Sequence, residues 1–375
     1  MKKILIFTAG FGEGHNTAAR SVREALELLE PDEVEVQVID LFETCYGKVN
    51  ELARKAYITA INRAPRAWGK FYNWVDSSPM LDANLSAFKK MRDSLEQLLL
   101  ETAPDAVVCT YPIYNYLINE IFSGNRFRRF VQITVVTDSI SINSVWYKGI
   151  SDFYLVPNAQ TGEVLEKVGM PKERIKILGF PVKRRFAELA AAGSHQRPLG
   201  QTKKVLYLIN SGKKQAPQML RELLKIEDIE LCITVGRDEK LREQVETAVR
   251  SSSKPVTIHG WTNDMPELLH EHHLVITKAG GATIQEAIAS RCPVIISQIV
   301  PGQEEGNARL ILDNHCGAQS TSVAETVQLV KQAFQDDNKL WKEWYENLGP
   351  LSKPSASLDI ARFVLDQAAQ KQEVD

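Results

Sequence analysis

LVITKAGGATIQEAIASRCPVIISQIVPGQEEGN, residues 274–307, is the stretch of the chain that decides its fold. The apolar run 274–277 predicts a buried parallel strand, Gly280-Gly281 predicts a turn, residues 283–290 predict a helix, and the apolar run 293–297 predicts a second strand. Together they form a βαβ unit whose helix begins with unpaired backbone N–H groups and the positive end of its dipole. The stretch therefore predicts an anion site at the start of that helix.

Small and polar residues surround this predicted anion site. Glycine at 280 and 281 lets backbone amides approach an oxygen that a Cβ would keep away. Glu286 lies about one turn into the helix, where a carboxylate can accept hydrogen bonds from ribose hydroxyls. The run 302–307 follows the second strand, at the carboxyl edge where doubly wound sheets bind ligands. For the glycine pair alone, an ordinary packing role is the alternative, since short glycine motifs also match by chance.

Composition excludes several classes of protein. A chain of 375 residues is long enough for two domains, and 44% hydrophobic with 25% charged residues is ordinary for a globular protein. A net charge of −2 argues against a polybasic nucleic-acid-binding protein. The five cysteines include no C-x-x-C pair, so neither a zinc pattern nor a disulfide framework is indicated, and a reducing compartment fits best.

No part of the sequence predicts a membrane span. Spanning helices need about 18 or more consecutive apolar residues, and no run approaches that length. The N-terminal apolar segment, residues 4–7, is too short for a signal sequence and predicts a first strand instead. We therefore expect a cytoplasmic protein that touches membranes only from the surface.

A glycine loop, residues 10–15 (GFGEGH), follows the first predicted strand and precedes a predicted helix over 16–30. A second strand over 34–39 ends at Asp40. This order also suits a dinucleotide fold, but the loop lacks the third glycine of G-x-G-x-x-G and has His15 in its place. The departure argues against nicotinamide binding.

The segment 53–74 interleaves five basic and five aromatic residues without an acidic one. Such a pattern suits an anionic membrane surface, because the cations meet lipid headgroups and the rings lie at headgroup depth. The alternative is a pair of amphipathic helices that packs on the N-terminal domain. The residues we assign to acceptor or membrane contact are Gly12, Gly14, Arg63, Arg66, Trp68, Phe71 and Tyr72.

Four stretches of the C-terminal half together resemble glycosyltransferase family 28, in its monogalactosyldiacylglycerol synthase and processive diacylglycerol glucosyltransferase branch. They are VGR at 235–237, HGWTNDM at 259–265, TKAGGAT at 277–283 with Glu286, and PGQEEGN at 301–307. The resemblance implies a donor site for a nucleoside-diphosphate sugar, usually linked to UDP. The implied donor-binding residues are Gly212, Arg237, Trp261, Gly280, Gly281, Thr283, Glu286, Gln303, Glu304 and Asn307.

In this family the glycine loop reads G-G-G-H-x-x-A-A, matched here by Gly12, Gly14 and His15 with Ala18 and Ala19, whereas Glu13 replaces one glycine. The match implies that His15 points into an interdomain cleft as the base for an acceptor hydroxyl. A neutral imidazole can take that proton at cellular pH, and the helix dipole disfavours its charged form. The alternative is a histidine that only caps the helix or forms a hydrogen bond with a backbone group.

A second family pattern, T-D-x-x-x-H-x-x-W, is matched at Thr137-Asp138 and Trp146. Asp138 follows a strand predicted over 130–136 and is placed to orient His15 or to contact the acceptor. Asn143 stands where the family has histidine, with one extra residue in between, and an amide cannot act as a base. This departure concerns the identity of the acceptor more than the type of reaction.

Strands alternate with helices along the chain, which predicts doubly wound parallel sheets. With the resemblance, we expect the GT-B architecture, with two Rossmann-like domains that face each other across a cleft. The N-terminal domain is expected over 1–185, with a C-terminal helix over 355–375 that packs back on it. A small polar linker over 190–198 would lead to the donor domain, 202–350.

The expected reaction is transfer of a hexosyl group from a UDP-sugar to a lipid hydroxyl, on diacylglycerol or a glycolipid, at the inner face of the cell membrane. The resemblance implies inversion at the anomeric carbon without a metal. The absence of a D-x-D pair near the donor site agrees with that, and amides of residues 281–283 would hold the diphosphate. Gln303, Glu304 and Asn307 would hold the sugar hydroxyls, and Trp261 would lie beside the base.

Three alternatives share much of this pattern. The first is an N-acetylglucosaminyl transferase that acts on a polyprenyl-linked acceptor. The second is a UDP-sugar epimerase of the same architecture. The third is a non-catalytic nucleotide-sugar sensor, suggested by the altered loops at Asn143 and Ser211.

Overall fold

The computed structural model describes residues 1–63, 88–124, 127–193, 199–210, 212–250, 252–302 and 304–374. The chain divides into two compact units. Unit 1 consists of residues 1–184, 301–303 and 355–375, and unit 2 consists of residues 185–300 and 304–354.

Unit 1 is built on a six-stranded parallel sheet of order β2-β1-β3-β4-β5-β6. Its strands are β1 Lys2–Phe7, β2 Val34–Ile39, β3 Ala106–Cys109, β4 Val131–Val135, β5 Phe153–Val156 and β6 Ile175–Ile177. Its helices are α1 Glu13–Leu29, α2 Leu41–Arg63, α3 Lys89–Thr102, α4 Ile113–Ile121, α5 Val145–Lys148 and α6 Ala159–Lys167, with the C-terminal helix α15 Ala356–Val374.

Helices cover both faces of this sheet, which is why its central strands are buried along their whole length. On one face, α1 buries Val22 and Leu26 in the same cluster as Ile360 and Val364 of α15. On the other face, α3 and α4 form a second cluster with β1 and β3. The helix nearest the C-terminus thus completes the core that the first helix begins.

Unit 2 repeats the plan with a six-stranded parallel sheet of order β12-β11-β10-β7-β8-β9. Its strands are β7 Lys203–Leu208, β8 Ile229–Thr234, β9 Val256–His259, β10 Leu274–Lys278, β11 Val294–Gln298 and β12 Gly317–Gln319. Its helices are α7 Arg185–Ala191, α8 Ala216–Leu223, α9 Glu239–Val249, α10 Met265–Glu271, α11 Gly281–Ala289, α12 Glu305–Asp313, α13 Val323–Phe334 and α14 Lys339–Leu348.

Each sheet has one point where the winding direction reverses. In unit 1 the chain passes from β1 to β2 on one side and later returns to β3 on the other side of β1. In unit 2 it passes from β7 through β8 and β9 before it returns to β10 on the other side of β7. Doubly wound sheets bind ligands beyond the carboxyl ends of the strands at such a reversal. The β1/β3 and β7/β10 edges are therefore the places to look for a site.

The predicted fold class is confirmed, since both sheets are doubly wound and parallel. The strand predicted over 34–39 has those bounds in the structure, whereas α1 and α11 begin a few residues earlier than predicted, at Glu13 and Gly281. Helix α7 occupies the first part of the segment expected to be a linker. Of the predicted basic and aromatic segment, α2 includes residues up to Arg63, and Arg66, Trp68, Phe71 and Tyr72 lie outside the described residues.

All five cysteines are buried free thiols. Burial raises the pKa of Cys232 to about 11 and that of Cys316 to about 12, so both thiols are protonated at neutral pH. In the part of the chain that the structure describes, no helix is long and apolar enough to cross a membrane.

Gly317 provides a test of the packing at the edge of unit 2. A Cβ at this position would lie 1.9 Å from the carbonyl oxygen of Val294 on β11. We expect Gly317→Ala to destabilise the protein by about 2 kcal/mol or more, because the strand must move away from β11. Gly200→Ala is the control, since nothing lies within 4 Å of its Cβ. Urea titration of both variants measures the difference, and equal midpoints would contradict the packing.

Candidate active site

His15 lies in the first turn of α1, at the carboxyl end of β1. The turn before it is possible because Gly12 adopts φ 124°, ψ 149°, a conformation that residues with a Cβ rarely reach. Helix α1 begins at Glu13, so His15 is already helical. The side chain therefore projects over the edge where β1 and β3 meet.

The hydrogen bonds of His15 fix its tautomer. Its Nδ1 lies 2.8 Å from the carbonyl oxygen of Thr110, just after β3, and 2.9 Å from the hydroxyl oxygen of Thr137, just after β4. A carbonyl oxygen can only accept a hydrogen bond, so Nδ1 carries the hydrogen and donates it. In the neutral ring Nε2 then has the free lone pair. The ring is thus held ready to accept a proton at Nε2.

Asp138, next to Thr137, is held by a different group. The indole Nε1 of Trp146 donates to Asp138 Oδ2 at 2.7 Å, and Trp146 is fully buried. Nδ1 of His15 forms its hydrogen bonds with Thr110 and Thr137, so Asp138 influences the imidazole through its charge. An orienting hydrogen bond is therefore supplied by the main chain rather than by the carboxylate that the sequence suggested.

Asn143, the departure from the family pattern, has a structural function in this site. Its Oδ1 accepts from the Val145 amide at 3.1 Å, and its carbonyl oxygen accepts from the Trp146 amide at 3.0 Å. Both bonds lie at the start of the short helix α5. Asn143 therefore helps to place the indole that holds Asp138.

Burial controls the protonation of both titratable groups. Burial of the ring lowers the pKa of His15 below its ordinary value, and the Asp138 charge and the Thr110 hydrogen bond oppose this shift. Burial likewise raises the pKa of Asp138, against the opposing effects of His15 and Trp146. His15 is therefore neutral at cellular pH, and burial of the ring is the largest cause of the lowered pKa.

Asp40, the acidic residue that suggested a dinucleotide site, is used to hold the backbone. Its Oδ2 accepts from the Gly10 amide at 2.9 Å, and its Oδ1 accepts from the Phe42 amide at 2.9 Å. These bonds fix the glycine loop and the start of α2. The structure thus gives Asp40 a local role in holding the backbone.

An aromatic surface lies beside His15. The rings of His15 and Tyr111 meet edge to face at 5.0 Å, and Phe11 stacks on Tyr111 at 6.1 Å. Phe42 contacts both Phe11 and Tyr111. Phe11 and Tyr111 remain partly exposed. His15 is therefore bordered by a partly exposed aromatic surface.

In unit 2, the glycine pair lies where the sequence predicted an anion site. Gly280 is the N-cap of α11 and Gly281 its first residue, directly after β10. Gly280 has an ordinary φ of −68°, and a Cβ there would lie 3.5–3.8 Å from Lys278 and Glu304, which is normal contact. Neither backbone strain nor packing requires glycine at 280. A glycine here leaves the backbone amides at the start of α11 open to close approach.

Glu304, expected to hold sugar hydroxyls, has protein partners for both oxygens. Oε1 forms an ion pair with the Lys278 ammonium, and Oε2 accepts from the Val300 amide at 3.0 Å. Glu304 is only 5% exposed. Lys278 was not among the residues singled out from the sequence, although a lysine at the end of an otherwise apolar strand was a usable signal.

The other predicted donor residues of α11 and α12 surround the same turn. Asn307 donates from Nδ2 to the Ala279 carbonyl at 3.1 Å, and its buried Oδ1 has no hydrogen-bond partner among the described residues. Glu286 is buried in α11, and Thr283 is half-buried in its first turn. Gln303 lies outside the described residues.

Three further donor residues follow neighbouring strands at this edge. Trp261, after β9, is 58% exposed and so does not belong to the hydrophobic core. The Arg237 guanidinium, after β8, lies 4.7 Å from the centroid of that indole. Gly212, after β7, has φ 65° and would place a Cβ 3.7 Å from Oε1 of Gln298. The structure thus brings all the described donor residues to the carboxyl edge of one sheet.

Comparison with known structures identifies the fold. MurG of Acinetobacter baumannii matches with a TM-score of 0.64 and 13% identity over 98% of this chain and 100% of that chain. A UDP-GlcNAc 2-epimerase from Neisseria meningitidis, bound to UDP-GlcNAc, matches with a TM-score of 0.62 and 14% identity over 98% and 100%. Such identities show the fold alone, and the fold is GT-B. The protein has the architecture of a GT-B glycosyltransferase.

Sequence comparison gives the family. The monogalactosyldiacylglycerol (MGDG) synthase model matches residues 15–182, and the glycosyltransferase family 28 C-terminal domain matches residues 203–333. The chain belongs to glycosyltransferase family 28, in the MGDG synthase branch. A processive diacylglycerol beta-glucosyltransferase of Staphylococcus carnosus is 27% identical over 100% of this chain and 95% of that protein.

The state of His15 can be tested without a substrate. We expect 15N chemical shifts of a neutral Nδ1–H imidazole at pH 7 and a pKa below the ordinary value of about 6.5. Asp138→Asn removes the charge that opposes the shift, so the pKa of His15 should fall further. NMR titration measures both, with the exposed Glu101→Gln as control. An Nε2–H tautomer, or the same pKa in Asp138→Asn, would contradict this account.

Proposed function

We propose that the protein transfers a hexosyl group from a UDP-sugar to the hydroxyl of a lipid acceptor, diacylglycerol or a glycolipid. The observation that carries the proposal is His15, whose Nδ1 is committed to a carbonyl and whose Nε2 is left as a base. The aromatic surface beside it suits an apolar acceptor. Relatives named as diacylglycerol glucosyltransferases and MGDG synthases support the same substrate class.

The donor would occupy the carboxyl edge of the unit 2 sheet. Backbone amides at Gly281 to Thr283 and the dipole of α11 attract the diphosphate. The exposed face of Trp261, backed by Arg237, offers a stacking surface for the base. Glu286 would accept from the ribose hydroxyls, and Gln303 and Asn307 would contact the sugar.

The proposed reaction is a single displacement. His15 Nε2 takes the proton of the acceptor hydroxyl, whose oxygen forms a bond to the anomeric carbon. The bond from that carbon to the β-phosphate oxygen breaks, and its electron pair leaves with UDP. Attack from the face opposite the leaving group inverts the configuration. Asp138 stabilises the imidazolium that forms, and we propose that helix-end amides rather than a divalent ion stabilise the leaving diphosphate.

Incubation of the protein with labelled UDP-sugars and lipid vesicles separates the alternatives. An epimerase would interconvert free UDP-sugars with no acceptor present. A transferase of the polyprenyl type would label a polyprenyl-linked acceptor but not diacylglycerol. A sensor would bind UDP and turn over no donor. Similarity to the lipid-acting family across both units favours the diacylglycerol or glycolipid acceptor, whereas the likeness to the epimerase concerns the fold alone.

We further propose that the protein acts in the cytoplasm, as a peripheral protein on the inner face of the cell membrane. An acceptor dissolved in a bilayer must be reached from the surface by an enzyme of this type. The basic and aromatic segment over 53–74 supports contact with anionic lipid.

His15→Ala tests the base. We expect it to reduce the rate of transfer of labelled sugar from UDP-sugars to lipid vesicles about a hundredfold or more, while the affinity for UDP stays unchanged. The exposed His315→Asn is the control, since its position has a left-handed φ of 51° that asparagine tolerates. Lipid extraction after incubation measures transfer. Near wild-type labelling by His15→Ala would remove His15 from the mechanism.

Gly280→Ala tests the approach of the diphosphate. The methyl group makes only normal contacts, so the folding stability should fall by no more than the small N-cap preference for glycine over alanine, but the methyl group occupies the space above the start of α11. We expect the affinity for UDP to fall about tenfold. Calorimetric titration with UDP measures the change, and Gly200→Ala serves as the matched glycine control. Unchanged affinity for UDP in Gly280→Ala would show that the diphosphate binds elsewhere.

A further inference from the structure

We propose that Lys278 contacts the diphosphate leaving group and that Glu304 positions this lysine, instead of holding a sugar hydroxyl. The inference rests on the proposed UDP-sugar site at the start of α11. In this proposal the positive charge that faces the leaving UDP belongs to Lys278, the last residue of β10 before the glycine turn.

The position of the lysine is the first reason. Nζ and Cε of Lys278 lie 3.6 and 3.5 Å from the point where a Cβ of Gly280 would stand. Gly280 is the N-cap of α11, so the ammonium borders the anion-binding end of the helix. A diphosphate that approaches these amides meets the ammonium as well.

The charge balance is the second reason. The side chain of Glu304 is 7% exposed and that of Lys278 is 27% exposed. Glu304 is anchored through Oε2 by the Val300 amide, which leaves Oε1 fixed against the ammonium. An ammonium has three hydrogens, and one is directed at Glu304. The remaining hydrogens can serve an anion on the exposed side.

The alternative role for Glu304 conflicts with this arrangement. A buried carboxylate that faced the diphosphate without a cation in between would repel it. With Lys278 in between, the pair is neutral and the ammonium is held in one place. Glu304 therefore acts through the lysine.

An unsatisfied group beside the same turn gives independent support for a ligand. Asn307 is 4% exposed, and its Nδ2 is bonded to the carbonyl of Ala279, the residue before Gly280. Its Oδ1 has no hydrogen-bond partner among the described residues. A buried amide oxygen without a partner is costly unless a ligand or water completes it.

In the proposed reaction the lysine stabilises charge at the moment when it develops. As the bond between the anomeric carbon and the β-phosphate oxygen breaks, the electron pair stays on that oxygen and UDP gains a negative charge. A fixed ammonium and the amides of α11 both stabilise this charge, as a bound divalent ion does in other phosphate sites.

The test compares ligands with and without the diphosphate. Uridine, UDP and UDP-glucose are titrated calorimetrically into the wild type, Glu304→Gln and the double variant Lys278→Met/Glu304→Gln. The double variant avoids a buried carboxylate without its cation, which would endanger folding. Lys342→Met is the control. Lys342 also forms an ion pair with a carboxylate, that of Asp337, but it lies on α14 and not at the start of α11.

We expect the double variant to bind UDP about 10- to 100-fold more weakly and uridine with unchanged affinity, as is typical for loss of a charge-assisted hydrogen bond. Glu304→Gln should change the affinities for UDP and UDP-glucose by the same factor. Equal losses for UDP and uridine, or no loss for UDP, would overturn the role of Lys278. A loss confined to UDP-glucose in Glu304→Gln would overturn the role of Glu304. If the wild type bound no UDP, the proposed function itself would fail.

Discussion

The carbonyl oxygen of Thr110 can accept a hydrogen bond but cannot donate one, and the chemistry of unit 1 depends on this constraint. It forces the hydrogen of a neutral His15 onto Nδ1 and leaves the lone pair of Nε2 able to accept a proton. The carbonyl is itself fixed by the sheet, because it follows β3 at the point where the winding reverses. The hydrogen bond between His15 and the Thr110 carbonyl therefore links the order of the strands to the ring nitrogen that can accept a proton.

The two units treat charge in opposite ways. Unit 1 lowers the pKa of a histidine by burial and keeps a carboxylate nearby, which suits proton transfer. Unit 2 surrounds the start of a helix with amides and an ammonium group that a buried carboxylate holds in place, which suits an anion. A glycosyl transfer needs both: a base for the nucleophile and a cationic setting for the leaving group.

Much of this was predictable from sequence, and the misses have physical reasons. The βαβ pattern and the glycine loops located both helix starts to within a few residues, since apolar runs and glycine turns are local signals. The partners of Nδ1 were not predictable, because Thr110 and Thr137 meet His15 only through the order of the strands. The ion pair between Glu304 and Lys278 was not predictable either, because a sequence does not show which side chain lies against this carboxylate. The function of Asn143 at α5 was hidden for the same reason.

Helix α15 packs on α1, although the whole of unit 2 lies between them in the chain. During synthesis, the chain of unit 2 is therefore complete before α15 can pack on unit 1. Until then, the face of α1 around Val22 and Leu26 lacks the apolar partners Ile360 and Val364. Synthesis of unit 1 therefore begins first and ends last. An unfinished chain can contain a folded unit 2 while an apolar face of unit 1 is still exposed to solvent.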